Sequence, residues 1–513
     1  MIKIGSIKLS VKEVKSIVRN GQKIELCEHA LDKVNESHVF LEGFSKEKLI
    51  YGINTGFGPM AQYKIEEFNL VELQYNLIRS HCTGMGEPLS DEKVLSAMVC
   101  RLNSLLQGYS GIHEEVLHLL KNLINEKVHP IIYEHGGVGA SGDLVQLAHL
   151  ALCLIGEGEV RYKGELRDAK DVLEELGLKP ITIRIRESLA LINGTSVMTG
   201  IGLVNIIDAE NLINWSLIAS NLILEMVESY NDHFSYELNK VKPHPGQGEV
   251  AKAMNTHLKS SKLIRKREEH LFNNGFTKDE RFKDKVQEYY SIRCIPQILG
   301  PIYDTKKQAA FTVENELNSV NDNPVIDAEN NNIWHGGNFH GDYVSFEMDK
   351  LKMAITKLSV LAERQLNFLL NEKLNGILPP FANLGTLGLN LGMQAAQFTA
   401  TSTTAENQTL SYPMYVHSIS CNNDNQDVVS MGTNSALLCN KVIENTYQVL
   451  AIELLTIIQA VGFLEIKDKL SDKSKEIYDQ LSKQVPIFKD DTVMHHKLNK
   501  ILQFMKENNP KLL

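Results

Sequence analysis

The chain has 513 residues, 43% of them hydrophobic and 23% charged, and 63 acidic against 53 basic side chains give a formal charge of −10. That length allows a large buried core, and the acidic balance argues against a general nucleic-acid or membrane-surface binder. Seven cysteines, odd in number and never spaced C-x-x-C, spell neither a disulfide framework nor a zinc ribbon and suit a reducing compartment.

The start, MIKIGSIKLSVKEVKSIV, alternates polar and apolar residues and lacks the continuous core of a signal peptide. In EFNLVELQYNLIRSHC, the spacing of Phe68, Val71, Tyr75, Ile78 and Cys82 predicts a helix with that stripe buried. In GDLVQLAHLALCLI, Asp143 and Gln146 have the D-x-x-Q spacing of a capping box at the head of another. EVRYKGELR (Glu159–Arg167) and PVIDAENNNIWHGG predict two short hairpins. Helical patterns fill 200–230 and 435–464, and Glu347–Leu370 places Leu351, Ile355, Leu358, Ala362, Gln365 and Leu369 on one stripe. The longest apolar run, Val449–Leu464, contains Glu453 and Gln459 and falls short of a membrane span, so a soluble, cytoplasmic protein is expected.

The expected fold is therefore mainly α: a long-helix bundle over 196–513, with a mixed part over 1–195 that holds most of the few short strands, forming one continuous catalytic unit. Polar, glycine-bearing loops at 51–60, 134–143, 193–200, 321–324, 335–342 and 421–432 are the places where function is expected.

Within EHGGVGASGDLVQ, Gly137, Gly139 and Gly142 spell G-x-G-x-x-G. A dinucleotide fingerprint needs a buried strand running into the first glycine and an acid ending the next strand of a βαβ unit. Here Tyr133, Glu134 and His135 interrupt the approach, and Glu157 and Glu159 precede a strand instead of ending one. No P-loop occurs either, so no nucleotide is expected. The alternative lies in Ala140-Ser141-Gly142. Condensing the Gly142 nitrogen onto the Ala140 carbonyl and eliminating the Ser141 hydroxyl gives a five-membered ring with an exocyclic methylidene, a strong electrophile. Only small residues permit the backbone approach this requires.

The surrounding spelling, GGVGASGDLVQLAHLAL, resembles the signature of the histidine and phenylalanine ammonia-lyase family, whose members form 4-methylidene-imidazol-5-one (MIO) from this tripeptide. The tripeptide alone is unspecific. Its companions are not: YGINTGFGP, NLIRSHCTGMGEP, LINGTSVMTG, VQEYYSIRCIPQILG, NSVNDNP, GGNFHGD, AENQTL and NQDVVSMG follow in the family's order over most of the chain.

The resemblance implies an enzyme that removes ammonia from an α-amino acid while losing a β-proton, a fold of the histidine/phenylalanine ammonia-lyase type, and a homotetramer with active sites shared between subunits. By the same resemblance Tyr51 is the base, Arg293 binds the substrate carboxylate, and Tyr290 stands near the reacting groups. Gln287 and Asn193 lie beside the MIO or the carboxylate, Phe339 forms an aromatic wall, and Glu406 faces the amine or side chain. Gln287, Tyr290 and Arg293 share one face if their segment is helical. His335 and His340 resemble metal ligands only in isolation; no spacing supports a metal and the family needs none.

Substrate choice is divided. Ser80-His81 matches histidine lyases, whereas Asn425-Gln426-Asp427 resembles the phenylalanine and tyrosine branch, as do INTGFGPMAQYKI and the tripeptide segment. A bacterial tyrosine ammonia-lyase that keeps Ser-His is the expectation, with His81, Asn425 and Gln426 on the substrate. Histidine, phenylalanine and a 2,3-aminomutase remain alternatives. A decayed, inactive scaffold would have lost Ser141, Tyr51 or Arg293, and all three are present.

Overall fold

The computed structural model describes residues 1–46, 48–272, 282 and 285–513. Helices dominate and the strands are two to four residues long. Two compact units form, and neither is continuous in sequence. The first comprises Met1–Ile207, Gln308–Asp349 and Pro413–Asn440; the second comprises Asp208–Lys307, Lys350–Tyr412 and Lys441–Leu513. A boundary between 195 and 196 thus falls inside the first unit. Four long helices, Ser196–Met226, Ile295–Leu317, Asp342–Leu370 and Gly432–Leu464, contain residues assigned to both.

The first unit is organised around the helix Asp91–Leu105, in which every residue from Val94 to Leu105 is buried. A helix buried on all faces must be closely packed on all faces. Gly200 of Ser196–Met226 provides one such contact: a Cβ there would lie 2.5 Å from the Ala97 nitrogen, and Ser96 Oγ donates to the Gly200 carbonyl at 2.9 Å. Both expected hairpins form, Glu159–Tyr162 with Glu165–Asp168 and Val325–Asp327 with Asn332–Trp334. In the first, Lys163 and Gly164 both take positive φ (53° and 84°), the two-residue turn whose twist suits a hairpin.

Two local expectations are corrected. The segment 68–82 is helical from Leu70 to His81, but its buried face is Leu70, Gln74, Leu77 and Ile78. Phe68 lies before the helix in a single 3-10 turn and is 84% exposed, Val71 is exposed too, and of the expected stripe only Ile78 is fully buried. The helix Leu144–Leu154 does begin after Asp143, yet no capping box forms there. The Asp143 carboxylate instead accepts from the backbone nitrogens of Val197 and Met198, at 2.8 and 2.9 Å. It caps a different helix, where two free N–H donors and the positive end of the helix dipole compete for it.

In the second unit the stripe Leu351, Ile355, Leu358, Ala362, Gln365 and Leu369 is buried throughout. The Gln365 amide donates to Ser220 Oγ and to the Ser291 carbonyl. The Trp215 indole N–H donates to the carbonyls of Met505 and Asn508, fastening the C-terminal helix Met494–Glu507. The helix Gly432–Leu464 is long and apolar enough to cross a membrane, but 78% of its apolar window is buried inside the protein, so core packing accounts for the composition. Burial, with no hydrogen-bond partner for either oxygen, raises the Glu453 carboxyl well above the usual carboxylate range.

Candidate active site

Ala140-Ser141-Gly142 lies in the first unit, in a loop whose shape depends on glycine. Gly139 and Gly142 have φ of +77° and +71°, where a side chain strains the backbone. A Cβ on Gly142 would stand 2.0 Å from the Gly194 carbonyl oxygen, and one on Gly139 2.0 Å from Ser430 Oγ. The loop is hydrogen-bonded along its length. Asp143 N–H donates to the Gly194 carbonyl at 2.8 Å, Met431 N–H to the Val138 carbonyl at 3.0 Å, and Gly341 N–H to the Gly139 carbonyl at 3.2 Å. Burial pushes the Asp143 carboxyl up to about 6, although bonds from Thr433, Met198 and Val197 and the charge of Arg101 oppose this.

Two amides hold the serine. Asn193 Nδ2 donates to the Ser141 carbonyl at 3.1 Å, and Gln426 Nε2 donates to Ser141 Oγ at 3.0 Å. Asn193 Oδ1 is buried and unpartnered, an open acceptor beside the tripeptide. Small residues, a glycine-only backbone and a positioned hydroxyl fit what an MIO ring requires of its precursor.

Ser141 lines a cavity of about 610 Å³ together with Tyr51, His81, Asn193, Phe339, Asn425 and Gln426. Leu77, Leu144 and Leu189 supply apolar wall, and no carboxylate, ammonium or guanidinium is among the described residues that line it. Tyr51 Oη accepts the Gly58 N–H at 3.0 Å. That donor, and the edge-on Phe57 ring with its centre 6.2 Å away, fix the position of the phenol. His81 Nδ1 lies 2.9 Å from the Leu77 carbonyl one turn back. A carbonyl only accepts, so this contact is a hydrogen bond when Nδ1 carries a proton; Ser80 Oγ lies 3.2 Å from the same nitrogen. Asn422, Asn423 and Asp424 all take left-handed φ (55°, 52° and 56°), closing a tight turn that aims Gln426 at Ser141.

Gln287, Tyr290, Arg293 and Glu406 belong to the second unit. The helix there is only Tyr290–Arg293, with Gln287 outside it, so the three do not share a helical face. Tyr290 is 71% exposed, and the Arg293 guanidinium carbon lies 4.8 Å from its ring centre. Glu406 is exposed and accepts from Asn445 Nδ2 at 2.6 Å.

Sequence reasoning missed three kinds of residue. Asn323 and Asn422 line the cavity but drew no attention within their motifs. His335, weighed only as a metal ligand, also lines it; burial and the charge of Arg186 lower its basicity. The third kind is a buried charge group comprising Arg101, Arg186 and Asp322, the last two paired at 3.1 Å. Its signal was an arginine as the one charge in the run MVCRLNSLL.

The family model for aromatic amino acid lyases matches residues 9–483. A histidine ammonia-lyase of Staphylococcus aureus (strain USA300 / TCH1516) is 38% identical over 98% of this chain and 97% of its own. Two solved structures match almost completely. Tyrosine aminomutase from Streptomyces globisporus is 34% identical, with a TM-score of 0.94 over 99% of this chain and 97% of that one. Pantoea agglomerans phenylalanine aminomutase is also 34% identical, with a TM-score of 0.94 over 98% of each. With the match spanning nearly the whole chain in sequence and in fold, this protein belongs to the aromatic amino acid lyase family.

Proposed function

We propose that the chain eliminates ammonia from L-tyrosine to give 4-coumarate, using MIO formed from Ala140, Ser141 and Gly142. The observation that carries tyrosine is His81, whose Nδ1 lies 2.9 Å from the Leu77 carbonyl, in a cavity that no carboxylate, ammonium or guanidinium lines among the described residues; in this reading Nδ1 holds the proton. Nε2 offers a lone pair to a donor, which the phenol O–H of tyrosine supplies and the phenylalanine ring does not. An imidazolium would need a carboxylate; the described lining residues of one chain include none, and Glu406 is the one this reading brings from another subunit.

Once formed, the ring supplies the electrophile that bonds the substrate. The chain's own residues do the rest. Tyr51 takes the β-proton on Oη, the atom that the Gly58 N–H holds in place. Asn193 and Gln426 hold the serine-derived part of the loop, and Phe339 walls the cavity. Arg293 pairs with the substrate carboxylate, for which its planar fork suits two parallel bonds. Tyr290, Gln287 and Glu406 accompany Arg293, and in this reading they complete the site from another subunit of a homotetramer.

Histidine is the second reading. The Ser80-His81 pair, the carboxylate of Glu406 and the 38% identity to a histidine ammonia-lyase favour it. Incubation with L-tyrosine followed by chromatography should show coumarate and ammonia in equal amounts. Release of urocanate from histidine with no coumarate from tyrosine would overturn the proposal. Accumulation of β-tyrosine would identify an aminomutase.

A further inference from the structure

The connection Asn193-Gly194-Thr195 touches the tripeptide at two points and joins two helices, Glu187–Ile192 and Ser196–Met226. Its two ends are held by opposite charges. At the start of the second helix, the Asp143 carboxylate accepts two backbone N–H groups. At the end of the first, the fully buried Arg101 guanidinium donates to the carbonyls of Asn193 (3.0 Å) and Ala190, and to Asn321 Oδ1 (3.3 Å). These are carbonyls that a helix end leaves without partners. Arg101 also abuts the connection itself: a Cβ on Gly194 would lie 2.2 Å from Arg101 Nη1. A Cβ on Gly142 would in turn lie 2.0 Å from the Gly194 oxygen. Guanidinium, Gly194 and Gly142 are thus stacked without room for one added carbon. The same guanidinium fixes Asn193, whose amide holds the Ser141 carbonyl.

We infer that Arg101 is a positioning residue for ring formation: it presses Gly194 against Gly142 and sets Asn193 on Ser141, so that the backbone is held ready to close. This rests on the MIO reading above. In closure the Gly142 nitrogen bonds the Ala140 carbonyl carbon. That oxygen leaves as water with the amide hydrogens of Gly142 and Ser141, creating a C=N bond. The Ser141 α-hydrogen and hydroxyl then leave as a second water, so no oxidant or other reactant is required. Arg101 touches none of the bonds made or broken; it acts through Asn193 and Gly194.

The test compares the full-length wild type with Arg101→Met, Arg101→Lys and a core truncation elsewhere in the first unit, Leu120→Ala. Intact-mass spectrometry gives the fraction of soluble, folded chains that are two waters lighter, and circular dichroism melting gives stability. Arg101→Met should leave most folded chains at the unmodified mass, with Arg101→Lys between it and the wild type. Leu120→Ala, although less stable than wild type, should carry the full mass loss. If Arg101→Met does not fold, the Lys variant against Leu120→Ala decides. Full mass loss in folded Arg101 variants, or an equal deficit in Leu120→Ala, would overturn the positioning role. A wild-type chain at its unmodified mass would overturn the MIO reading, and this proposal with it.

Discussion

Replacing His81 with phenylalanine removes both ring nitrogens and keeps an aromatic ring; the Leu77 contact is lost for every substrate alike, so the tyrosine-to-phenylalanine ratio isolates the contribution of Nε2. With Nδ1 donating to the Leu77 carbonyl in the wild type, Nε2 is left to accept from the substrate. With phenylalanine bound, Nε2 loses water and gains nothing. An unpaired polar group costs about 1–3 kcal/mol, and the half-buried state of His81 places it in the lower part of that range, about 1–2 kcal/mol. The wild type should therefore prefer tyrosine over phenylalanine by about 5- to 30-fold from this bond alone, and His81→Phe should lose that factor. The assay is kcat/KM for both amino acids, read from the absorbance of coumarate and cinnamate, with melting temperatures to confirm that the variant folds. A ratio unchanged within about twofold would refute the assignment of hydroxyl recognition to His81.

Ser141→Ala should keep the unmodified chain mass and lose most activity; a fully active variant would remove the hydroxyl from the chemistry. Gly194→Ala, with its Cβ forced to 2.2 Å from Arg101 Nη1, should cost about 1–3 kcal/mol in urea unfolding, whereas unchanged stability would show that the stack can relax. Burial lowers His257 to about 4, and its Nε2 shares a hydrogen bond with Ser474 Oγ at 2.8 Å, so the fold holds the neutral ring. Between pH about 6.5 and about 4 the unfolded chain takes up a proton that the folded chain refuses. This contribution to stability is present above about 6.5 and lost as pH falls to about 4, roughly 3 kcal/mol in all, and His257→Gln should flatten that part of the stability profile. Mixing inactive Tyr51→Phe and Arg293→Ala chains should restore part of the activity, and light scattering should report a tetramer. A fully active monomer would contradict the shared site.

The parts of the site that were legible in the sequence are those whose chemistry is local. Ala140-Ser141-Gly142 announces itself because only small residues allow the backbone approach, and its glycines do take positive φ. Helix periodicity worked where one face meets one core, as in Leu351 through Leu369. It misled at 68–82, where apolar side chains lie on both sides and spacing alone does not say which side is covered. The Asp143 and Arg101 contacts were illegible for a different reason. Asp143 has a plausible local partner at the head of its own helix, yet it bonds backbone groups 54 and 55 positions away. Arg101 reaches Ala190 and Asn193, 89 and 92 positions on, a pairing that no local spacing encodes. Gln287 shows the limit of extrapolating a helix: the one-turn helix begins three residues too late to include it.

The account stands on one competition experiment. Equal concentrations of L-tyrosine and L-histidine are given to the wild-type enzyme in one vessel, and coumarate and urocanate are quantified at early times, so that their ratio equals the ratio of the two kcat/KM values. A histidine acceptor aimed at the phenol predicts coumarate in excess by about tenfold, the ratio expected for one well-made hydrogen bond. Urocanate in excess would contradict that account and make the enzyme a histidine ammonia-lyase.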